Sequence, residues 1–454
     1  FPTRRSSDLM GISADWSQTY STISQASMRI SQASFIDLYN KGHVYQKEEP
    51  ALYCTVCQTT VAQAELDDQE LPSQFSNIIF TTVTQNEETP LCGVPTDTAL
   101  ASYEKIRSPQ ATLVETYTEQ LIIGTTRPEL LPSCVALFYH PEDERYTHLK
   151  GKFAVVPIFG HIVPILADQT VQQDKGTGLV MCCTFGDKHD IYWYKTHNLP
   201  YRQSIGRNGL WNENTGILAG LKAHVARKTI LAALAEQNLI TESRAITHTV
   251  NVHERCKHEI EYIIIKQWFL NILDHKQAFI DRADEIQWHP AFMKTRYKDW
   301  VENLQWDWCL SRQRFYGIPF PCWHCTSCSY IVMPDIKTLP IDPQEVACPL
   351  QNCPKCGSNN FMPDTDVMDT WNTSSLTPYI CDAIYNKTDH YNFEQPLTPM
   401  AMRPQAHDII RTWAFYTIIK THLHHNRIPW KEIVISGHVL SAAKDKISKS
   451  KGNT

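Results

Sequence analysis

The 454-residue chain has no run of about eighteen or more apolar residues, so its sequence predicts no membrane span. The segment from Phe1 to Leu9 has no apolar core and is not a secretory signal. We find no internal repeat and no low-complexity tract. An excess of positive charge is also absent, because 42 Lys and Arg stand against 48 Asp and Glu, a net charge of −6. A surface that binds nucleic acid would therefore be a local one.

The size and composition are those of an ordinary globular protein with about three domains. Apolar residues make up 42% of the chain and charged residues 20%. The chain has no initiator Met and stops at Gly452-Asn-Thr454 without a terminating structure, so we expect both ends to be cut. Whether Phe1 to Leu9 is native sequence stays open.

Cysteine is abundant, with fifteen residues, and several of them form Cys-x-x-Cys pairs. In a secreted chain such a number would suggest disulfides. In a long chain without a secretion signal, bound metal in a reducing, cytoplasmic compartment is the better interpretation.

The first half of the chain passes from a helical pattern to a β-rich one. A helix is predicted over Ile23–Gly42, followed by a strand-like Val44-Tyr45. Residues 51–258 hold short β-branched runs separated by Gly and Pro, which predicts a compact mixed or barrel-like domain. These runs are Leu121-Ile-Ile123, Ala154-Val-Val156 and Ile162-Val163.

The second half returns to an α/β pattern. Residues 259–360 run from a Trp-rich helical segment into a Cys-rich one. In residues 361–454 apolar side chains recur at helical spacing, and Ile433-Val-Ile435 then reads as a strand. The helical set is Ile409, Trp413, Tyr416 and Leu423.

The clearest metal motif is Cys325-Thr-Ser-Cys328 followed by Cys353-Pro-Lys-Cys356. Each turn directs two thiolates at one tetrahedral ion, so the four residues predict a zinc ribbon or knuckle. A disulfide or a chance cluster is the alternative. Cys322 and Cys348 lie nearby but do not fit the spacing.

A second possible metal site combines distant residues. Cys54-Thr-Val-Cys57 is one pair, and His253-Glu-Arg-Cys256 is its candidate partner nearly 200 residues later. A whole domain would then be inserted between the two halves of the site. Sequence leaves this pairing open against buried structural cysteines.

The chain ends in a basic segment, Lys446-Ile-Ser-Lys449-Ser-Lys-Gly-Asn453. Lysines on flexible stems in a Gly- and Ser-containing loop can hold phosphates and stabilise a transition state at the α-phosphate of ATP. By composition alone a solvated basic tail is the alternative.

This segment resembles the Lys-Met-Ser-Lys-Ser signature of the class I aminoacyl-tRNA synthetases, with Ile447 in place of Met. Six further segments match that family, and especially its valine enzymes, in the same order along the chain. They are Gly11-Ile-Ser-Ala-Asp15-Trp-Ser, Gly124-Thr-Thr-Arg127-Pro-Glu129, Gly176-Thr-Gly178 with Asp187 and Asp190, Ser311-Arg-Gln-Arg-Phe-Tyr-Gly317, Asp366-Val-Met-Asp-Thr-Trp371-Asn-Thr-Ser-Ser375 and His407-Asp-Ile-Ile-Arg-Thr-Trp413.

The resemblance implies an α/β fold: a split Rossmann-type catalytic domain with an inserted β-rich editing domain and zinc knuckles. It implies ligation of valine to tRNA(Val) with ATP and Mg²⁺. The catalytic lysines would be Lys446 and Lys449, and both would bind ATP together with Ser448 and His438. Trp371, Ile409 and Trp413 would surround the valine side chain, with core packing as their alternative role.

An editing site is implied because threonine is nearly isosteric with valine, and packing alone discriminates only about a hundredfold. By resemblance, Thr125, Arg127, Asp187 and Asp190 line a pocket that hydrolyses Thr-tRNA(Val). Met181, Cys183 and Leu130 depart from the common bacterial pattern at this site and match an archaeal-type variant. Which groups replace the usual Lys and Thr stays open.

The expected layout has six parts along the chain. They are the remnant of the first Rossmann half (10–50), zinc-knuckle and connective segments (51–110 and 241–260), the editing domain (111–240), connective and catalytic helices (261–320), the zinc ribbon (321–360) and the second Rossmann half (361–454). The His-Ile-Gly-His signature and the anticodon-binding domain are expected outside the 454 residues. We therefore expect the chain as given not to activate valine.

Two other functions remain possible. Within the family, an isoleucine or leucine enzyme is the alternative. The Asp-Thr-Trp-Asn-Thr-Ser-Ser motif argues against both. Outside catalysis, the chain would be a zinc-ribbon module that binds RNA and hydrolyses nothing. The expected protein is a cytoplasmic monomer with structural Zn²⁺ and no membrane partner.

Overall fold

The structure is a computed structural model that describes residues 11, 15–84, 116–386, 398–442, 444 and 447. Lys446, Ser448 and Lys449 of the basic segment lie outside the described residues. Among the described helices, none is both long and apolar enough to cross a membrane. The chain divides into two compact units. Unit 1 comprises residues 1–47, 62–64 and 266–454, and unit 2 comprises residues 48–61 and 65–265.

Helices and strands alternate along much of the described chain. The helices are α1 (Gln25–Asn40), α2 (Lys188–Thr196), α3 (Ala223–Glu236), α4 (Lys276–Glu285), α5 (Met293–Glu302), α6 (Thr370–Ser374), α7 (Thr377–Tyr385) and α8 (Phe415–His425). The strands of the first half are β1 (Val44–Cys54), β2 (Thr59–Thr60), β3 (Leu66–Thr84), β4 (Thr116–Thr125), β5 (Cys134–Tyr139), β6 (Phe153–Val155), β7 (Ile162–Ala167), β8 (Leu179–Cys183) and β9 (Ile240–His253). The strands of the second half are β10 (Glu261–Leu270), β11 (Gln287–His289), β12 (Trp308–Cys309), β13 (Ser311–Arg312), β14 (Trp323–Cys325), β15 (Ile331–Val332), β16 (Phe361–Pro363), β17 (Val367–Met368), β18 (Met400–Ala406) and β19 (Trp430–Ser436).

Unit 1 contains a parallel sheet in the order β11-β19-β18. Helix α8 lies in the connection from β18 to β19. Neighbouring parallel strands need such a crossover, because a tight turn between them would make the second strand antiparallel. Ile433 and Ile435 of β19 are buried in a core with Trp308, Phe415 and other apolar residues. This mixed architecture confirms the predicted α/β fold class.

Helix α1 forms where the sequence predicts it. The Ser24 hydroxyl caps its first turn by accepting from the Ser27 backbone N–H at 3.2 Å. Phe35 and Leu38 of the helix enter the core of unit 1. The Phe35 ring contacts Trp268 edge to face at 4.9 Å between centroids, a favoured aromatic geometry.

Unit 2 is built on a seven-stranded sheet in the order β4-β3-β6-β7-β5-β8, with β9 also paired to β3. The pairing is antiparallel except between β5 and β7. The predicted β-rich runs fall in β4, β6 and β7, as expected. Ile78, Phe80 and Ile123 are buried between the sheet and its covering segments.

A buried polar chain links α1 to α8 inside unit 1. Burial lowers the pKa of His424 to about 3, so its ring is neutral. The ring donates from Nδ1 to Asp37 at 2.7 Å and accepts from the Ser34 hydroxyl at 2.8 Å. Lys420 donates to the same hydroxyl at 3.2 Å. Serine hydrolases use the same order of carboxylate, imidazole and hydroxyl. Ser34 is fully buried, however, and no substrate can reach it, so this set of hydrogen bonds is structural.

Burial also lowers the pKa of Lys420 to about 7. A free lysine has a pKa of about 10.4. Between pH 7 and that value, the unfolded state therefore binds more protons than the folded state. The lysine therefore costs stability at pH 7 and below, and this cost disappears as the pH rises towards 10. We expect Lys420→Met to raise the free energy of unfolding by about 2–4 kcal/mol more at pH 7 than at pH 10.

Urea denaturation at the two pH values measures this difference. Lys431→Met is the matched control, because Lys431 is exposed and its replacement should change stability by less than about 0.5 kcal/mol at either pH. An equal effect of Lys420→Met at both values would contradict the assignment.

Candidate functional site

The four cysteines of the predicted ribbon lie together in unit 1. The strand β14 pairs with β15 and β16 and brings the turn at Cys325 beside the turn at Cys353. The Sγ atoms of Cys325 and Cys356 are 3.5 Å apart, and so are those of Cys328 and Cys353. All four Sγ atoms lie within 4.8 Å of one another.

These distances fit a tetrahedral metal ion. A disulfide needs about 2.05 Å between sulfurs, and the cysteines are free. Zinc bonds to sulfur at about 2.3 Å, which places tetrahedral ligands about 3.8 Å apart, close to the observed spacing. The four thiols interact so strongly that their pKa values move apart: burial is opposed at Cys325 by backbone N–H groups and neighbouring thiols, which lower its pKa, whereas burial and the neighbouring thiols raise the pKa of Cys328. The donor set is therefore suited to structural zinc.

The second cysteine pair meets its distant candidate partner in unit 2. Cys54 ends β1, and His253 ends β9. The Cys256 sulfur lies 3.5 Å from the Cys54 sulfur and 3.5 Å from Nδ1 of His253. With Cys57, the four ligand atoms lie within 4.8 Å of one another. The fold thus brings together the two halves that sequence could not pair, and they too fit zinc.

A third group, Cys322, His324 and Asp364, was not foreseen as a cluster. Oδ2 of Asp364 accepts from His324 at 3.0 Å and from the Trp268 indole at 2.9 Å, and the Cys322 thiol points at it from 3.7 Å. These donors already satisfy the buried carboxylate, so hydrogen bonding explains the group. Cys322 lies outside the ribbon ligands, as its spacing predicts.

We expect metal analysis of the purified chain to find zinc in the ribbon. Cys353→Ser should remove about one zinc per chain and lower the melting temperature, since structural zinc contributes on the order of 10 kcal/mol to a small fold. Cys348→Ser is the matched control, because Cys348 is a free cysteine of the same segment that belongs to neither ligand set. Purified parent chain without zinc, with four titratable thiols in the ribbon, would refute the site.

A polar group lies at the carboxyl edge of the parallel sheet in unit 1, the edge where open α/β sheets bind ligands. His407 and Asp408 follow β18, and His438 follows β19. The His407 and His438 rings are 4.4 Å apart between centroids, and Nε2 of His438 lies 3.6 Å from the Asp408 carboxylate. His438, expected at the ATP site, is thus placed beside two further polar side chains.

Trp371, Ile409 and Trp413, expected around the valine side chain, are half-buried in unit 1. Trp371 lies on α6, Ile409 ends a 3-10 turn, and Trp413 lies in a π-helical turn, Ile410–Ala414. Turns of this type often occur at functional sites. The Trp413 indole donates to the Ser374 carbonyl of α6 at 2.9 Å, which joins the two tryptophan segments.

Helix α6 is fixed by a buried ion pair. Asp369 caps the helix by accepting from the Trp371 backbone N–H at 3.1 Å. Its Oδ2 lies 2.9 Å from the Arg312 guanidinium, and both side chains are 1% exposed. The Trp308 indole donates to the same oxygen at 2.9 Å. The position of Trp371 is therefore set by an electrostatic contact that neither motif revealed.

Thr125 and Arg127 lie at the end of β4 in unit 2. The Thr125 hydroxyl accepts from the Arg127 backbone N–H at 3.0 Å. The Arg127 guanidinium donates to both oxygens of Glu261, at 2.9 and 3.0 Å, and to Glu129 at 3.2 Å. Glu129 is also bound by Arg227 at 2.7 Å. The predicted site residue Arg127 is thus engaged in a four-membered ion network, of which Glu261 and Arg227 lie outside the Gly124–Glu129 motif.

Asp187 and Asp190 begin α2 and form a capping box. Oδ1 of Asp187 accepts from the backbone N–H of His189 at 2.8 Å and of Asp190 at 3.1 Å. The Asp190 carboxylate accepts from the backbone N–H of Cys183 at 3.2 Å and of Gly186 at 2.6 Å. Burial and the Asp187 charge raise the pKa of Asp190 to about 8 against these donors.

The two aspartates therefore differ in what they offer a substrate. Asp190 is buried and its oxygens are used by the backbone, whereas Asp187 is exposed. Gly186 permits the close approach, because a Cβ there would lie 2.9 Å from Asp190 Oδ2. Burial and the charge of Asp187 raise the pKa of Tyr262 to about 12, with Arg127 acting in the opposite direction.

Residues 2–454 match the model of the class I tRNA synthetases for I, L, M and V, so the chain belongs to this family.

Several similar proteins are named Valine–tRNA ligase. Those of Rickettsia felis and Rickettsia typhi are each 45% identical to this chain over 98% of its length. The matched region covers 53% of the Rickettsia felis protein and 51% of the Rickettsia typhi protein. That of Thermoplasma volcanium is 43% identical over 98% of this chain and 51% of the relative. A solved structure, the ternary complex of Agrobacterium radiobacter K84 agnB2 LeuRS with tRNA and LeuAMS, aligns with a TM-score of 0.42 and 17% identity over 99% of this chain and 56% of that one. The chain spans about half the length of the curated relatives that it matches.

Proposed function

We propose that the full-length protein joins valine to tRNA(Val) with ATP, and removes threonine from mischarged Thr-tRNA(Val). The observation that carries this proposal is the 45% identity to proteins named Valine–tRNA ligase, which extends over 98% of the chain. A zinc-ribbon module that only binds RNA would not need this sequence identity to extend through the parallel α/β sheet of unit 1. Family membership leaves the isoleucine and leucine enzymes as the nearest alternative.

ATP is proposed to bind at the carboxyl edge of β18 and β19. His438 lies there with His407 and Asp408, at the edge where open α/β sheets bind ligands. Lys446 and Lys449 follow within eleven residues of His438. Their ammonium groups would offset charge that develops on the ATP phosphates when the amino-acid carboxylate attacks, and Ser448 would add a hydrogen bond. Mg²⁺ would accompany the nucleotide.

Valine is proposed to contact Trp371, Ile409 and Trp413. An apolar wall suits a branched aliphatic side chain, because contact with it removes apolar surface from water. The indole of Trp413 uses its N–H on the Ser374 carbonyl and one face on the Arg403 guanidinium, so the opposite face is the apolar surface proposed for valine. Such a wall cannot reject threonine strongly, which is the physical need for a second site.

Editing is proposed to take place in unit 2, at the Thr125 and Asp187 segments. A polar pocket can bind the threonine hydroxyl, and it disfavours a methyl because its own groups would then stay unpaired. Arg127 and Asp190 support this pocket through the ion network and the capping box that hold them. The exposed carboxylate of Asp187 is the group suited to the substrate ammonium.

The basic segment is tested by activation of valine. Lys446→Ala and Lys449→Ala in the full-length protein should each lower pyrophosphate exchange by about a hundredfold, with a smaller change in valine binding. Lys431→Ala, an exposed lysine outside the site, should leave exchange unchanged. Exchange at the parental rate in both variants would remove the two lysines from the mechanism.

The editing proposal is tested by hydrolysis of Thr-tRNA(Val). Asp187→Asn keeps an oxygen for the helix cap but removes the charge, so it should lower the rate about tenfold or more without lowering the melting temperature. Glu236→Gln, at an exposed position at the end of α3 in unit 2, is the matched control. Asp190→Ala should lower both the rate and the melting temperature, because two or more backbone N–H groups lose their acceptor. If Asp187→Asn and Asp190→Ala hydrolyse at the parental rate, the pocket lies elsewhere.

A further inference from the structure

Arg403 is a buried cation on the edge strand β18 of unit 1. Along β18 the inward positions are Arg403 and Gln405, while Met402 and Pro404 face outward. Only 7% of Arg403 is exposed. Its guanidinium carbon lies 3.0 Å from the centroid of the Trp413 ring and 5.5 Å from that of Trp430. The cation therefore lies directly on the face of one of the tryptophans proposed to contact valine.

Among the described residues, Arg403 has no carboxylate partner. Its Nε and Nη2 atoms are buried without a hydrogen-bond partner in that part of the chain. Burial lowers the pKa of Arg403 to about 10, which still leaves the group charged at neutral pH. A buried charge is costly unless something compensates for it, and the negative face of an indole is such a group. The stacked ring is thus a direct compensating contact, in addition to the electrostatic influence of Cys381 and Tyr20.

Trp413 is held from two directions by these contacts. Its N–H is fixed by the Ser374 carbonyl of α6, the helix that also carries Trp371. Its face is covered by the guanidinium of Arg403. A hydrogen bond at the edge and a cation on the face together restrict both rotation and tilt of the indole. The π-helical turn supplies the backbone position from which the ring reaches both partners.

We infer that Arg403 is a positioning residue that sets the orientation of Trp413, and thereby the size limit of the amino-acid pocket. This inference rests on the proposed role of Trp413 beside the valine side chain. Arg403 acts through the ring and does not touch the substrate. A ring released from the cation would tilt and enlarge the pocket, which admits the additional methylene of isoleucine. Threonine, which has the size of valine, would be affected far less.

Kinetics of the full-length protein test this role. Arg403→Met retains the length and apolar stem of the side chain but removes the charge. It should raise the valine KM in pyrophosphate exchange by about threefold to thirtyfold, with kcat within about twofold of the parent. The preference for valine over isoleucine should fall by a similar factor. Arg403→Lys keeps a charge without the planar face and should restore part of both losses.

A double-mutant cycle separates positioning from simple packing. Trp413→Leu removes the ring, so Arg403→Met should have little further effect on the valine KM or on the preference over isoleucine in that background. If Trp413→Leu unfolds at the assay temperature, Trp413→Phe replaces it in the cycle. Because Phe keeps an aromatic ring, the effects of the Arg403 and Trp413 substitutions should then be only partly coupled. Fully additive effects, or unchanged kinetics in Arg403→Met, would overturn the inference.

Fluorescence distinguishes failure of the inference from failure of the proposed function. In the chain itself, Arg403→Met should change the tryptophan emission, and most of this change should disappear in the Trp413→Leu or Trp413→Phe background, because the Trp430 ring is farther from the guanidinium, at 5.5 Å. If the emission changes as expected but Trp413 variants leave the valine KM unaltered, Trp413 is not beside valine and the proposed pocket is wrong. If Trp413 variants alter the valine KM but Arg403→Met alters neither emission nor kinetics, Arg403 does not position the ring.

Discussion

The carboxylate of Asp369 joins three separate segments of unit 1 at one buried point. It accepts from the Arg312 guanidinium, the Trp308 indole and the first turn of α6. Loss of either member of such a pair leaves an uncompensated buried charge and costs about 3–5 kcal/mol. The orientation of α6 follows from this contact, and Trp371 and the carbonyl that binds Trp413 are carried by α6. The proposed amino-acid pocket therefore depends on an ion pair that lies outside it.

Unit 2 follows the related rule that buried polar groups need hydrogen-bond partners. Arg127 and Asp190 were expected to line a substrate pocket, but their polar atoms are bound by Glu261 and by backbone N–H groups. Replacing them alters the support of the site as well as any contact with substrate. Asp187 retains an exposed carboxylate, so its replacement by Asn gives the clearer measurement of function.

In both units the geometry of a charged group matters as much as its charge. In unit 1 the guanidinium of Arg403 contacts a ring and no described carboxylate, which makes lysine an imperfect substitute. In the metal clusters the thiolates are set by short turns, and the ion that they fit would offset their mutual repulsion. In each case the chemistry depends on distances of a few ångströms between segments that are far apart in the chain.

The sequence by itself determined what depends on neighbouring residues. Helix α1, the strand at Ile433–Ile435 and the two-cysteine turns follow from short-range periodicity and spacing, and the order of motifs identified the family. Tertiary structure alone decided that His253 meets Cys54, that Glu261 binds Arg127 and that Arg403 covers Trp413. Each of these contacts joins residues from different strands, helices or turns. A linear pattern does not encode them, because they depend on how buried charges find partners once the elements have packed.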